Sequence, residues 1–461
     1  MKRLLLLSTL TLLLVLIIGS SAFATLGRIR SLGNADYYFK DISHIYVNPA
    51  FLGQYTNTVY AELGSYYDWM DEYDTPYDQT LGINYKVYKG LSLGLTLNRY
   101  EDWIAGYFIP HDEEFDFPYP INGYDILASY DFEKLHIGVS FYHAGNKDEG
   151  SSRYTNEDTL TGSEDYETYL SEYEASSGIS SLTGGFVFDL DENKTIEGMV
   201  KLSFDRAKYT SLYTDTGFYS WGYNWNEYED RSYETDGGTR IEFGARAFWG
   251  VSENFQVVPL FAFGTESISL DSSVIDYYRN SDFGVIRADT GKGSTGDYKE
   301  SYFLIGLGGN LKLDKGMVVG GLNLTRYKWT DELDTISTHE STEWFMPGFN
   351  LGVEYELTKW LTARVGMEKW FGRDEYKSEY DYWYPSPPDP DSFRYHWTSL
   401  YEYKDRFSNN PEDFIGLGVG FKFSKFKVDA TVGEQNLFQG GYILSGKERN
   451  MFGILSATFE F

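Results

Sequence analysis

The chain has no cysteine, only 12 prolines in 461 residues, and 39 basic residues against 69 acidic ones. Each scarcity removes a class of protein. Without thiols there is no disulfide framework and no thiolate-held metal cluster. A formal charge of -30 leaves little basic surface to neutralise phosphates, so nucleic acid is not an expected partner. Long apolar runs are also missing beyond residue 24, where nothing approaches the ~18 consecutive apolar residues of a membrane helix. Catalytic signatures are scarce too. The six histidines (His44, His111, His136, His143, His339 and His396) are scattered, with no His-Glu-x-x-His and no Gly-x-Ser-x-Gly elbow. Gly291-Lys-Gly-Ser-Thr-Gly296 matches a dinucleotide fingerprint, but no helix pattern follows it. No enzyme, cofactor or metal site is expected.

What is abundant is aromatic and small: 41 Tyr, 32 Phe, 11 Trp and 47 Gly. Disordered chains lack such aromatics, and this mixture with few prolines leans to an all-β protein. At the start, Lys2 and Arg3 precede the apolar run Leu4 to Gly19, and Ala22-Phe23-Ala24 supplies a small-x-small cleavage pattern. Residues 1–24 therefore read as a secretory signal peptide. The remainder carries 37 bases against 69 acids, a formal -32.

From residue 56 onward the pattern has period two. Leu91, Leu93, Leu95 and Leu97 alternate with Ser92, Gly94, Thr96 and Asn98; Ile415, Leu417, Val419, Phe421 and Phe423 alternate with Gly416, Gly418, Gly420 and Lys422. Similar runs are joined by very short turns at Lys89-Gly90, 131–134, 191–194, 251–254, 314–316, 358–359 and 424–425. Between these pairs lie long polar segments, near 67–78, 101–122, 144–179, 209–237, 268–299, 330–346, 372–412 and 435–449. Alternating short and long connections are the organisation of a closed antiparallel transmembrane β-barrel. The pairs, with one strand before and one after, give about sixteen strands, with fourteen as the alternative. Residues 56–461 form the barrel in this reading, and both ends lie in the periplasm. The chain end, with Leu455, Ala457, Phe459 and Phe461 on one face, looks like the C-terminal signature read by the barrel-assembly machinery. Localisation in the outer membrane of a Gram-negative-type bacterium follows, with membrane lipid and lipopolysaccharide as neighbours.

If the apolar face meets lipid, the other lines a lumen. Its charges are Lys86, Glu197, Lys201, Glu242, Arg246, Lys312, Glu354, Glu356, Arg364, Glu368, Lys422 and Asp429. They either brace the wall as ion pairs or guide a solute. The many inward glycines leave room close to the wall, for an inserted segment or for an open channel. Segment 144–179 holds nine acids and reads as a solvated external loop, or as one bridged to lipopolysaccharide by divalent cations. Tyr166, Tyr169, Leu170 and Tyr173 within it suggest a short amphipathic helix. Aromatics in 209–237 and 372–412, among them Trp221, Trp225, Tyr380, Tyr382, Trp383, Tyr384 and Trp397, belong to girdles and loop packing or to a platform for a sugar or an apolar solute.

The stretch before the first strand is not strand-like. It runs Asp41-Ile-Ser-His-Ile-Tyr-Val-Asn48-Pro49-Ala50-Phe-Leu52, and resembles the N-terminal region of the fatty-acid-transporter-type (FadL-like) outer-membrane superfamily. There an Asp, then Asn-Pro-Ala and a Leu, sit in a plug before strand one. The resemblance implies that residues 25–55, with Asp41, Asn48, Pro49 and Ala50 as motif, plug a monomeric barrel that passes small hydrophobic or amphipathic solutes. A general diffusion porin, with the acidic loop folded inward, is the alternative transport reading. A passive scaffold or secretion-associated barrel is the third.

Overall fold

The computed structural model describes residues 26–64, 78–101, 117–158, 165–218, 224–280, 286–333, 338–384, 395–407, 414–432 and 452–461. The signal-peptide reading of residues 1–24 lies outside them, as do the side chains of the seven aromatics named above. The strands are β1 (Thr58–Gly64), β2 (Asp78–Tyr88), β3 (Leu91–Leu97), β4 (Ile121–Asp131), β5 (Leu135–Asp158), β6 (Asp165–Asp191), β7 (Lys194–Phe218), β8 (Asn224–Gly250) and β9 (Phe255–Asn280). They continue as β10 (Ile286–Leu313), β11 (Gly316–Leu333), β12 (Thr338–Thr358), β13 (Leu361–Trp370), β14 (Gly372–Tyr384), β15 (Tyr395–Phe407), β16 (Phe414–Phe423), β17 (Phe426–Val432) and β18 (Phe452–Glu460).

All pair antiparallel in one sheet, and β1 pairs with both β2 and β18, so the sheet closes. β12 pairs with β13 over its lower part and with β14 over its upper part. β13 in turn pairs with β16, and β14 with β15. β13 and β14 are therefore two stretches of one wall position, broken at Phe371, and β15 and β16 of the next. The wall has sixteen positions. Closure leaves no free backbone edge along the closed band, which hydrocarbon demands. Among the described residues no helix is long and apolar enough to cross a membrane.

The seven short connections all lie at one end, here the turn end. Gly90 (φ 86°) and Ser424 (φ 59°) supply the left-handed backbone of two of them. Above, the period-two pattern sorts the faces. Leu93, Leu95 and Leu97 are exposed outward, while Ser92 and Thr96 are fully buried inside. Phe459 and Phe461 share the outward side; Phe461 stacks on Tyr85 at 6.2 Å, and its N–H donates to Asn57 O at 3.0 Å.

The segments expected to be long loops are largely strand. β5 to β10 run 24 to 28 residues, whereas about 9–11 cross a membrane. The wall therefore continues as paired hairpins, with β5 and β6 in register out to Asp158↔Asp165. Segments 144–179, 209–237, 268–299, 330–346 and much of 372–412 are corrected accordingly. The helix expected at Tyr166–Tyr173 is also overturned: these residues lie in β6, facing partners from Glu157 to Gly150. Beyond the membrane the outer face meets water instead of lipid, so outward apolar alternation fades while backbone pairing continues.

An outward charge tests this arrangement. Leu95→Arg, facing lipid, should lower unfolding free energy in lipid vesicles by roughly 2–4 kcal/mol. Denaturant titration followed by tryptophan fluorescence measures it.

Candidate functional site

Residues Leu26–Tyr55 lie inside the barrel and follow its inner circumference. The helix α1 (Leu26–Ser31) rests on β16–β18: Leu26 N–H donates to Glu62 Oε1 (2.8 Å), Gly27 N–H to Ser456 Oγ (3.2 Å), and Thr431 Oγ1 to Gly27 O (2.6 Å). Gly33 and Asn34, both at positive φ, turn the chain past β12 and β13, where Asn350 Nδ2 donates to Gly33 O at 2.9 Å. The Tyr38 ring lies over Gly308 and Gly321, and its hydroxyl donates to Leu322 O at 3.2 Å. Arg246 of β8 donates from Nη1 to Asp36 O at 3.0 Å. Asn48 then meets β6 and β7, Pro49 and Ala50 meet β5, and Leu52 reaches β3 before the chain enters β1.

Glycines make this course possible. A Cβ on Gly138 would sit 2.2 Å from Pro49 C, one on Gly185 2.1 Å from Asn48 Oδ1, and one on Gly366 2.1 Å from Gly33 N. No side chain fits between wall and segment there. The segment's own turns are fixed locally. Asp41 and His44 form a reciprocal cap, with Asp41 N–H donating to His44 Nδ1 (2.8 Å) and Ser43 N–H to the Asp41 carboxylate. Asn48 Oδ1 accepts from Ala50 N–H at 3.1 Å, Pro49 opens the following turn, and Asn48 Nδ2 donates to Phe186 O at 3.0 Å. One short motif thus both caps a turn and holds the wall.

Charge links segment to wall at two places. Arg28 clasps Glu354 with two hydrogen bonds (2.8 and 2.9 Å) and lies 3.3 Å from Asp41. Glu354 also accepts from Arg364 Nε (2.5 Å), Arg364 pairs with Asp429 (2.6 Å), and Asp429 with Lys427 (3.2 Å). Signs alternate along all six groups. On the other side Glu197 accepts from Arg246 Nε at 2.5 Å and faces Lys40 at 3.7 Å. Burial raises the Asp36 carboxyl to about 6, against the pull of Arg246. Burial, then Arg246, hold His44 well below its ordinary value, so the ring stays neutral.

A second layer lies above. Asn98, at φ 57°, turns the chain inward after β3, and Arg99 binds Asp125 (2.5 and 2.9 Å) and Glu101 (2.5 Å). Glu101 reaches across to Ser181 Oγ (2.8 Å) and Lys201 (3.0 Å); Tyr302 donates to Glu242 at 2.9 Å. The Arg99 guanidinium lies between the rings of Tyr46 (4.8 Å) and Tyr142 (4.5 Å). An apolar cluster that includes Phe117, Tyr142, Ile179, Tyr233, Leu270 and Tyr298 adjoins this layer.

Asp41, Asn48, Pro49 and Ala50 therefore sit in the segment. Glu197, Lys201, Glu242, Arg246, Glu354, Arg364 and Glu368 line the interior beside it. Lys86, Lys312 and Lys422 share that face but are exposed at the turn end, as is Glu356, so they are not part of the site. Parity fixes a side, not a depth. Sequence reasoning missed Arg28, Lys40, Arg99, Glu101 and Asp125. A charged pair directly after a strand, as at Arg99 and Glu101, is the one local signal that could have pointed there.

No family model and no curated protein matches the chain. Among solved structures it is similar to the toluene transporter TodX of Pseudomonas putida (9% identity, TM-score 0.37, 96% of this chain and 99% of that one). It is similar also to the toluene transporter TbuX of Ralstonia pickettii (8%, 0.32, 91% and 93%) and to the ferric yersiniabactin receptor FyuA of Yersinia pestis (10%, 0.28, 88% and 79%). Scores this low carry no argument, and the barrel rests on its own closed strand order.

Two outcomes check the docking. Gly138→Val places methyl groups in the Pro49–Ala50 backbone and should expose residues 26–55 to protease in a barrel that still migrates as folded. Because folding raises the Asp36 carboxyl above its ordinary 3.8, docking should weaken as pH rises from about 4 to about 6. Asp36→Asn should flatten that profile, read by the same protease protection.

Proposed function

We propose that this chain is an outer-membrane transport barrel, turn end and both termini in the periplasm, whose lumen is closed by Leu26–Tyr55 and which passes small hydrophobic or amphipathic solutes. The carrying observation is the circumferential course of the segment. It fills the floor with Leu32, Tyr38, Phe39, Ile42, Ile45, Phe51 and Leu52, each 2% exposed or less, and leaves wall and segment in dry contact on most sides. Sixteen-stranded barrels otherwise enclose an aqueous channel. The apolar cluster around Tyr142 and Tyr298 offers an uncharged solute a place above that floor.

The charged layers suit this role. Their ion pairs are internal to the protein, which leaves few free charges to repel an apolar solute. The occupied floor disfavours the open diffusion porin. Acids expected to fold inward as a porin loop stand instead on paired strands, among them Glu149↔Glu174 and Glu157↔Tyr166. Assembly-machinery and lipopolysaccharide contacts belong to the same proposal, through the terminal Phe461 and the acidic hairpins.

Planar-bilayer recording tests the closure. The intact protein should show little conductance, and a variant lacking residues 26–55 should show steady openings of porin size. Equal conductance with and without the segment, in barrels that migrate as folded, would sink the proposal. Arg28→Ala, which removes the cation that Glu354 and Asp41 share, should lie between the two, with intermittent openings.

A further inference from the structure

Around most of its course the segment is held by dry packing, backbone hydrogen bonds or paired charge. The sector against β2, β3 and β4 differs. Asn84 and Ser92 are fully buried and Ser129 is 3% exposed. Among the described residues, Asn84 Oδ1 and Nδ2, Ser92 Oγ and Ser129 Oγ meet no hydrogen-bond partner. The register brings them together. Ser92 lies directly opposite Ser129, and Asn84 faces Gly94, the next inward position along β3. Cross-strand partners on one face have their Cβ atoms about 5 Å apart, close enough for one small molecule to touch both hydroxyls. The Asn84 amide lies over Gly94 beside Leu52 and Leu127: a point at the Gly94 Cβ position is 2.8 Å from Asn84 Oδ1, 3.0 Å from Leu52 Cδ1 and 3.3 Å from Leu127 Cδ1.

Four orphaned polar atoms on three adjoining side chains are costly in a dry interior, because each has given up its hydrogen bonds to water without replacement. No charged group of Leu52–Tyr55 is available to bind them, because that stretch reads Leu-Gly-Gln-Tyr. Near the turn end of β6, Val187 is fully buried in the apolar cluster that also holds Ala50, Phe51, Leu52 and Leu127, and brings no polar side-chain atom to satisfy. A ligand for the β2–β4 sector must be small, neutral, and both donor and acceptor.

We propose that Asn84, Ser92 and Ser129 form a buried water-binding site between the wall of β2–β4 and the end of the N-terminal segment. Ordered water there completes the hydrogen bonds of the amide and both hydroxyls. This sector is then a wet seam in the contact between segment and wall. The inference concerns hydration and stands whether or not the barrel transports.

Cysteine oxidation by radicals made from bound water tests it, because the chain has no native thiol. Ser92→Cys, Ser129→Cys and Val187→Cys are each made in the full chain. Each is confirmed as folded by heat-modifiable migration, then exposed in detergent to a millisecond X-ray pulse, which splits water, buried water included, into hydroxyl radicals. A thiol touching bound water is oxidised where one buried among apolar groups is not, so both serine positions should oxidise at least ~10-fold faster than position 187, read by mass spectrometry. The two serine positions are independent, so either folded variant suffices. Rates equal to that of Val187→Cys would show the sector dry and overturn the proposal.

Discussion

Sixteen strands enclose more space than wall side chains can fill, and much of this structure answers that constraint. Closing the sheet is forced by hydrocarbon, which tolerates no unpaired backbone edge. Closure at this size then leaves a lumen to be occupied or left wet. Here Leu26–Tyr55 occupies its floor by running along the wall instead of crossing the middle. Such a course demands close backbone approach at many points, met by inward glycines such as Gly138, Gly185, Gly308, Gly352 and Gly366.

Charge provides what shape does not. The series Asp41, Arg28, Glu354, Arg364, Asp429 and Lys427 alternates in sign from the segment deep into the wall. A buried pair of this kind contributes little net stability, yet removing one member costs roughly 3–5 kcal/mol because it strands the others. The segment is thus positioned specifically, by charges whose partners depend on one another. The Arg99 layer repeats the logic above, with Tyr46 as the contact between the two tiers.

Much of the barrel was legible in the sequence because one face of each strand meets lipid. Leu91–Asn98 and Phe414–Phe423 show that alternation residue by residue, and the seven short turns between paired strands occur where they were expected. Legibility ended where lipid ends. The hairpins of β5 to β12 extend past lipid and lose the outward apolar row, so their residues read as loops, and the tyrosines of 166–173 imitated a helix. In the interior, Asn48-Pro49-Ala50 could be singled out because a cap and a turn-opening proline are local features. The layer around Glu101 could not be assembled, since Ser181 and Lys201, which bind it, come from strands distant in sequence. Lys86, Lys312 and Lys422 show the same limit from the other side: alternation gave their face correctly but not their position at the rim.

The central claim is that the segment closes the lumen and must leave the wall for solute to pass. An engineered disulfide tests it most directly. A Cβ on Gly27 would lie 3.1 Å from Ser456 Oγ, close to the Cβ-to-sulfur spacing across a disulfide, so Gly27→Cys with Ser456→Cys should join segment to wall on oxidation. Uptake of a small aromatic hydrocarbon into proteoliposomes is then followed in the oxidised and reduced forms of the same preparation. The account predicts uptake that is abolished by oxidation and restored by reduction. Equal uptake in both forms, with the cross-link verified, would contradict it.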